Sequence, residues 1–371
     1  MKSIVEVGQL RGKYVLVRSS CNVPVTDGVV QNMYRLKRAL PTLAYLRDQG
    51  ARIIVIAHIG RDTRDTLRPV LTAMQSLIPV TWGGLIGTSE FTTARNAMQD
   101  GDIILAENLR QDPREVANDP IFSALLALQA DIFVNDAFDN IHRDHASMVT
   151  VPTLLPAYAG LTLLEEITEL SKAMLPKSPS LLILGGAKFE TKMPLVEKYL
   201  EIYDQVFVTG ALLNDILKAK GYEIGISLVS GISLVGAAFL DNPKLIHAVD
   251  VVVESTRGVR TVLVSEIAAD EKVIDMGPQT IATVMIPIAS AATILWNGPL
   301  GLYEHGSPGS THAIAKLIAV AFGFSVIGGG DTVAAVEELN LNDQFGFVSI
   351  GGGAMLTFLE HGTTRALEVL E

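Results

Sequence analysis

The stretch Trp296-Asn297-Gly298-Pro299-Leu300-Gly301, directly after the apolar run Ala291-Ala292-Thr293-Ile294-Leu295, decides how this chain is read. The run is short, uncharged and β-rich, as expected for a strand covered on both faces. The Gly-Pro pair beyond it is a turn. Three more glycine-rich turns of the same half follow apolar runs in the same manner: Gly185-Gly186-Ala187-Lys188, Gly328-Gly329-Gly330-Asp331-Thr332 and Gly351-Gly352-Gly353. In a parallel α/β sheet all strand C-termini lie along one edge, so these turns predict a single crevice. Glycine lets the backbone approach a ligand closely, and a helix start beyond it offers free N–H groups to an anion. The pattern predicts a polyphosphate site.

Outward from this stretch, β-rich runs alternate with helical patterns along the whole chain. In the first half the predicted strands are Lys13–Arg18, Ala51–Ala57, Asp102–Ala106 and Asp131–Asn135. In the second half they are Ser180–Leu184, Gln205–Val208, Val251–Glu254, Thr293–Trp296, Phe324–Ile327 and Phe347–Ile350. Amphipathic stretches such as Arg35–Gln49, Pro194–Tyr203 and Thr332–Leu339 lie between them. Such alternation predicts an α/β fold with parallel sheets and right-handed crossovers. A chain of 371 residues is too long for one compact core, so two domains are expected. The prolines of Val151-Pro152-Thr153-Leu154-Leu155-Pro156 mark the boundary, giving domains 1–155 and 156–350, and Leu161–Met174 reads as one helix linking them.

Composition narrows the function. Residues 1–161 carry 16 Lys+Arg and 16 Asp+Glu; residues 162–371 carry 13 and 24, so the whole net charge of −11 lies in the second half. Nucleic acid is thereby an unfavourable partner. In the first half arginines outnumber lysines 13 to 3, which suits phosphate and carboxylate. No apolar run is long enough to span a bilayer, and the N-terminal residues have no apolar signal core, so neither a membrane nor export is expected. The lone Cys21 forms no internal disulfide and fits a cytoplasmic protein.

Every strand of the first half ends in polar residues: Arg18-Ser19-Ser20-Cys21-Asn22, His58-Ile59-Gly60-Arg61, Glu107-Asn108-Leu109-Arg110 and Asn135-Asp136-Ala137-Phe138, followed by His142-Arg143-Asp144-His145. Convergence of strand ends puts Asn22, His58, Arg61, Arg110 and Arg143, with Arg35 from a helix start, around one small anion. A phosphorylated carboxylate would use both their forks and their charge. The plainer alternative is that these are solvated loop ends. In the second half Lys188 and Lys192 are four apart; on a helix starting after Gly185-Gly186 both face one way. Two ammonium groups at a helix start oppose its macrodipole unless an anion sits between them. Asp331 either caps its helix or holds a magnesium ion that binds through phosphate oxygens. A Walker A loop is absent. His142-Arg143-Asp144 resembles the start of a protein-kinase catalytic loop, but Val149 stands where that loop needs asparagine.

Ten motifs in order resemble the phosphoglycerate kinase family over nearly the whole chain: Asn22-Val23-Pro24, Arg35, Ala39-Leu40-Pro41-Thr42, His58-Ile59-Gly60-Arg61, Glu107-Asn108-Leu109-Arg110 and Asn135-Asp136-Ala137-Phe138 in the first half, then Gly185-Gly186-Ala187-Lys188, Trp296-Asn297-Gly298-Pro299, Gly328-Gly329-Gly330-Asp331 and Gly351-Gly352-Gly353-Ala354. The resemblance implies two Rossmann-like, doubly wound domains with parallel β-sheets facing a central cleft, and a tail of about 351–371 returning to the first domain. It implies reversible phosphoryl transfer between 1,3-bisphosphoglycerate and Mg-ADP, giving 3-phosphoglycerate and Mg-ATP, by a monomer without nucleic-acid or membrane partners.

Carried over by position, Ser20, Cys21, Asn22, Arg35, His58, Ile59, Gly60, Arg61, Arg110 and Arg143 would bind the triose phosphate. Gly186, Ala187, Lys188, Lys192, Gly210, Asn297, Pro299, Glu304, Gly329, Gly330, Asp331 and Thr332 would bind nucleotide, with Asp331 on magnesium. Arg35, Lys188 and Lys192 would act on the transferring group. The chain departs from the family at Ser20, where an aspartate is usual, at Cys21 and Gln111, which replace aromatics, at Thr209-Gly210-Ala211, where a glycine triplet is usual, and at Ile350, which replaces a threonine. Ser20 brings no charge, so Ser20→Asp is expected to tighten substrate binding. Ser20 and Thr209 are also what a non-catalytic relative retaining the scaffold would show; the retained Arg35, Lys188, Lys192 and Asp331 favour the enzyme.

Overall fold

The computed structural model describes residues 1–303 and 309–371, and only the backbone of Glu190. Two compact units result: Met1–Thr168 with Thr363–Glu371, and Glu169–Gly362.

The strands of the first unit are β1 (Tyr14–Arg18), the short hairpin β2 (Val25–Thr26) and β3 (Val29–Val30), β4 (Arg52–Ile56), β5 (Thr81–Gly84), β6 (Ile103–Ala106), β7 (Ile132–Asn135) and β8 (Ala157–Ala159). Six of them form a parallel sheet in the order β5-β6-β4-β1-β7-β8. The central strands are buried along their length, which explains their unbroken Val/Ile/Leu character. One core runs beneath the sheet through Val15, Val17, Ile53, Val55, Leu105 and Val134 to Leu36 and Leu43 of the helix Tyr34–Asp48. The chain leaves β1 towards β4 and leaves β7 towards β8, so the winding reverses between β1 and β7. Ligands of open α/β sheets bind at such a reversal. Asp136, just past β7, accepts the Thr162 N–H at 3.0 Å and the Leu163 N–H at 3.2 Å, and so caps the helix Leu161–Met174. The segment 363–371 completes this unit: Ala366, Leu367 and Leu370 are buried, and Arg365 pairs with Asp144 at 3.2 Å.

The second unit contains β9 (Ser180–Leu184), β10 (Gln205–Val208), β11 (Leu245–Ile246), β12 (Asp250–Ser255), β13 (Gly258–Leu263), β14 (Lys272–Met276), β15 (Thr293–Asn297), β16 (Phe324–Gly328) and β17 (Phe347–Val348). Its parallel sheet runs β11-β10-β9-β15-β16-β17, which is 3-2-1-4-5-6 in order of appearance, the doubly wound Rossmann arrangement. The reversal falls between β9 and β15, the strands that carry Gly185-Gly186 and Asn297-Gly298-Pro299 at their ends.

Val251–Glu254, expected among the parallel strands, lies instead in a separate antiparallel sheet, β13-β12-β14. Only Thr256 and Arg257 separate β12 from β13, which permits a hairpin and excludes the crossover that parallel pairing needs. The sequence reading also lacked β5. This edge strand ends in Gly83-Gly84 and has no apolar run.

Candidate active site

In the first unit the strand ends gather a cationic cluster around a buried framework. Arg18, at the end of β1, is fully buried and donates from Nε to Ser147 Oγ at 2.9 Å, from one terminal nitrogen to the Ser19 carbonyl at 2.7 Å and from the other to His58 Nδ1 at 2.8 Å. Ser147 Oγ donates in turn to the buried Glu115 at 2.6 Å, and the Ser147 N–H donates to the same carboxylate at 3.0 Å. Guanidinium has only donors, so His58 Nδ1 must accept. Burial, then the charges of Arg18, Arg110 and Arg143, push the His58 imidazole far below its usual range, and it stays neutral. Neutral imidazole with an accepting Nδ1 carries its proton on Nε2. Among the described residues that buried N–H has no partner, and neither do the buried Nε groups of Arg110 and Arg143. Such orphaned donors are costly unless a ligand accepts from them. Burial, then Arg143 and Arg18, also lower the Arg110 guanidinium, so these charges crowd one another. A small anion would relieve both problems.

The remaining residues of this group divide into those that face a ligand and those that hold the frame. Asn22 Oδ1 accepts the Gly60 N–H at 3.0 Å, the Asn22 carbonyl accepts from Arg35, and the Gly60 carbonyl accepts from Arg110. Gly60 is therefore a positioning element. Ile59 has both backbone groups bound to the buried Asn108 side chain, at 3.2 and 3.0 Å. Cys21 belongs to the hydrophobic core, where burial pushes its thiol up to about 12. Arg61 is exposed, and Ser20 is buried. Sequence reasoning missed Arg18, Glu115 and Ser147; an arginine ending a strand reads alike whether it faces ligand or core.

In the second unit Gly186, Ala187, Lys188, Lys192, Gly210, Asn297, Pro299, Gly329, Gly330, Asp331 and Thr332 line one cavity of about 410 Å³. Glu304 lies outside the described residues. The cavity opens at the β9/β15 reversal. Lys192 stands in the helix Phe189–Ile202, 5% exposed, and its ammonium donates to the Gly185 carbonyl and, at 3.5 Å, to that of Asn297. It ties the two strand ends together. Burial, then the charge of Lys188, lowers it to about 8, with Asp331 opposing. Lys188 is not in the helix: it precedes the first turn and is exposed. The two lysines therefore reach the cavity from a turn and a helix rather than from one helical face. Gly298 has φ +96°, and a Cβ there would meet the Gly185 carbonyl and the Lys192 ammonium. Only glycine fits.

Thr332 Oγ1 accepts the Gly298 N–H at 2.9 Å and pins this turn to the helix Gly330–Glu338, whose first turn carries Asp331. Ala211, Asn214 and Leu228 form another part of the lining, next to the buried Thr209. Among the described residues no three acidic, histidine or cysteine side chains gather as a metal cluster. Of the described residues, two carboxylates line the cavity, Asp331 and Asp275, and Asp275 accepts the Ser310 N–H at 3.0 Å; one carboxylate suits a magnesium ion that keeps its waters and binds mainly through phosphate oxygens.

Residues 4–362 match the family model described as phosphoglycerate kinase. A phosphoglycerate kinase of Thermus thermophilus is 40% identical, with 97% of each chain covered. That of Rubrobacter xylanophilus is 40% identical, covering 98% of this chain and 96% of the relative. Among solved structures, phosphoglycerate kinase from Coxiella burnetii superposes with a TM-score of 0.81 at 34% identity, covering 99% of this chain and 98% of that one. The enzyme from Pyrococcus horikoshii gives a TM-score of 0.86 at 26% identity, with 100% and 98% covered.

Proposed function

The chain belongs to the phosphoglycerate kinase family, and on that premise we propose which of its residues perform each part of the reaction. The activity is reversible phosphoryl transfer between the acyl phosphate of 1,3-bisphosphoglycerate and ADP, giving 3-phosphoglycerate and ATP. The first unit is the triose-phosphate domain. His58 Nε2, Arg110 and Arg143 hold the phosphate that does not react, with Arg61 closing from the exposed side and Asn22 keeping Arg35 in place. One observation supports this reading: three buried N–H donors that follow three different strands lie within electrostatic reach of one another and, among the described residues, have no acceptor.

The second unit is the nucleotide domain. Its glycine turns present N–H groups to the phosphates, and Asn297, Pro299, Gly210 and Ala211 shape the cavity. Asp331 would hold magnesium, which would neutralise charge on the phosphate oxygens. Phosphoryl transfer has a loose transition state, so the protein's part is positioning and charge. Lys188 and Arg35 stabilise the equatorial oxygens of the moving group, and Lys192 stabilises the phosphates that stay. The protein acts as a cytoplasmic monomer on small molecules, without nucleic-acid or membrane partners.

Lys192 supplies a test through pH. Its ammonium attracts phosphate only while protonated, and its pKa is lowered to about 8. ADP affinity, measured calorimetrically, is therefore expected to fall as pH rises through about 8. Bound phosphate moves the transition upward in the complex, because it favours the charged form. Lys192→Met should bind ADP more weakly and without this pH dependence. A wild-type affinity that stays level across the window would remove Lys192 from the phosphate site.

A further inference from the structure

Asp139 is a carboxylate in a pocket otherwise built to attract anions. It follows β7 and so stands at the β1/β7 reversal; its side chain is 5% exposed. Oδ1 accepts from Ser20 Oγ at 2.5 Å and from Asn140 Nδ2 at 2.7 Å, and Oδ2 lies 3.9 Å from the Arg35 guanidinium. A nearly buried carboxylate here opposes an incoming anion, so the fold needs a reason to keep it.

The substrate itself gives one. Phosphoglycerate has two anionic ends and, between them, one neutral hydroxyl that can donate. Ser20 has a single proton and gives it to Asp139, so its oxygen keeps lone pairs for another donor. Together Ser20 Oγ and the Asp139 carboxylate form an acceptor pair beside Arg35. The pattern that the chain resembles carries an aspartate where this chain has Ser20. Here a carboxylate reaches the same place from 119 residues further along.

We propose that Asp139, with Ser20, is the specificity subsite for the substrate hydroxyl and also fixes Arg35 for transfer. The proposal rests on the assignment of this pocket to phosphoglycerate.

Steady-state kinetics of the full chain with ATP test it, comparing 3-phosphoglycerate with 3-phosphooxypropanoate, which lacks only the hydroxyl. The wild type should prefer the natural substrate by about 10- to 100-fold in kcat/KM, the usual worth of a charge-assisted hydrogen bond. Asp139→Ala should lose that preference, chiefly through KM for 3-phosphoglycerate. Asp139→Asn, which keeps the volume, serves if the alanine variant does not fold, and should show a smaller loss. Ser20→Asp combined with Asp139→Ala should restore the preference. Ser20→Asp alone sets two carboxylates side by side and should raise KM, the reverse of what the sequence suggests.

A preference unchanged in Asp139→Ala, or lost without restoration in the double variant, overturns the subsite. So does tighter binding by Ser20→Asp alone. Arg110→Ala is the separate control. If it leaves KM for 3-phosphoglycerate unaltered, the pocket assignment itself fails, whatever Asp139 does.

Discussion

Replacing Arg18 by methionine is expected to lower the stability of the first unit by about 3–5 kcal/mol, the range for breaking a buried ion pair at one partner. Arg18 fills its site completely and is joined to the buried Glu115 through Ser147. Methionine fills much of the volume but removes the larger of the two arginine charges that act on Glu115, leaving Arg110. Burial already raises that carboxyl, so part of the loss will be met by protonation. Adding Glu115→Gln should recover a substantial share. Urea unfolding of the single and double variants measures both, and a loss below about 1 kcal/mol would show that Ser147 alone satisfies Glu115. The same variant should bind 3-phosphoglycerate more weakly, because His58 no longer has a donor that fixes its tautomer.

Lys188→Ala is expected to reduce kcat by about 10²- to 10³-fold, the usual cost of losing a preplaced charge at a transition state. KM for ADP should change far less. The structural cost should be small: Lys188 is exposed, and among the described residues none holds its ammonium group. Lys192 differs, since its ammonium bridges the ends of β9 and β15 and its removal loosens the turn itself. Steady-state kinetics with circular dichroism as a folding control decide the matter. Equal losses in kcat/KM and in nucleotide affinity would assign Lys188 to ground-state binding instead.

The parallel sheets were legible because a strand covered on both faces cannot hide its composition. Arg52–Ile56, Ile103–Ala106, Ser180–Leu184 and Thr293–Asn297 each contain an unbroken apolar run of at least three residues, closed by polar or glycine turns. The antiparallel sheet escaped notice because Val251–Glu254 has the same composition; only the two-residue gap before Gly258 separates a hairpin from a crossover. Glycine turns announced the second unit's cavity since glycines there answer local steric demands, as at Gly298 and Gly210. The cationic pocket was legible in outline only. Side chains at strand ends point to one edge, but which of them face ligand depends on partners distant in sequence: Glu115 and Ser147 for Arg18, Asn108 for Ile59, and Asp139 for Ser20. Pairings across 32 to 129 residues leave no periodic trace.

The segment 363–371 belongs to the first unit although the whole second unit precedes it in the chain. On the ribosome, the first unit must therefore wait, with the sites for Ala366, Leu367 and Leu370 unfilled, while nearly two hundred further residues are made. Translation thus imposes an interval in which the earlier lobe exposes an apolar seam to chaperones. The nascent polypeptide can close that lobe only by threading back to where it began.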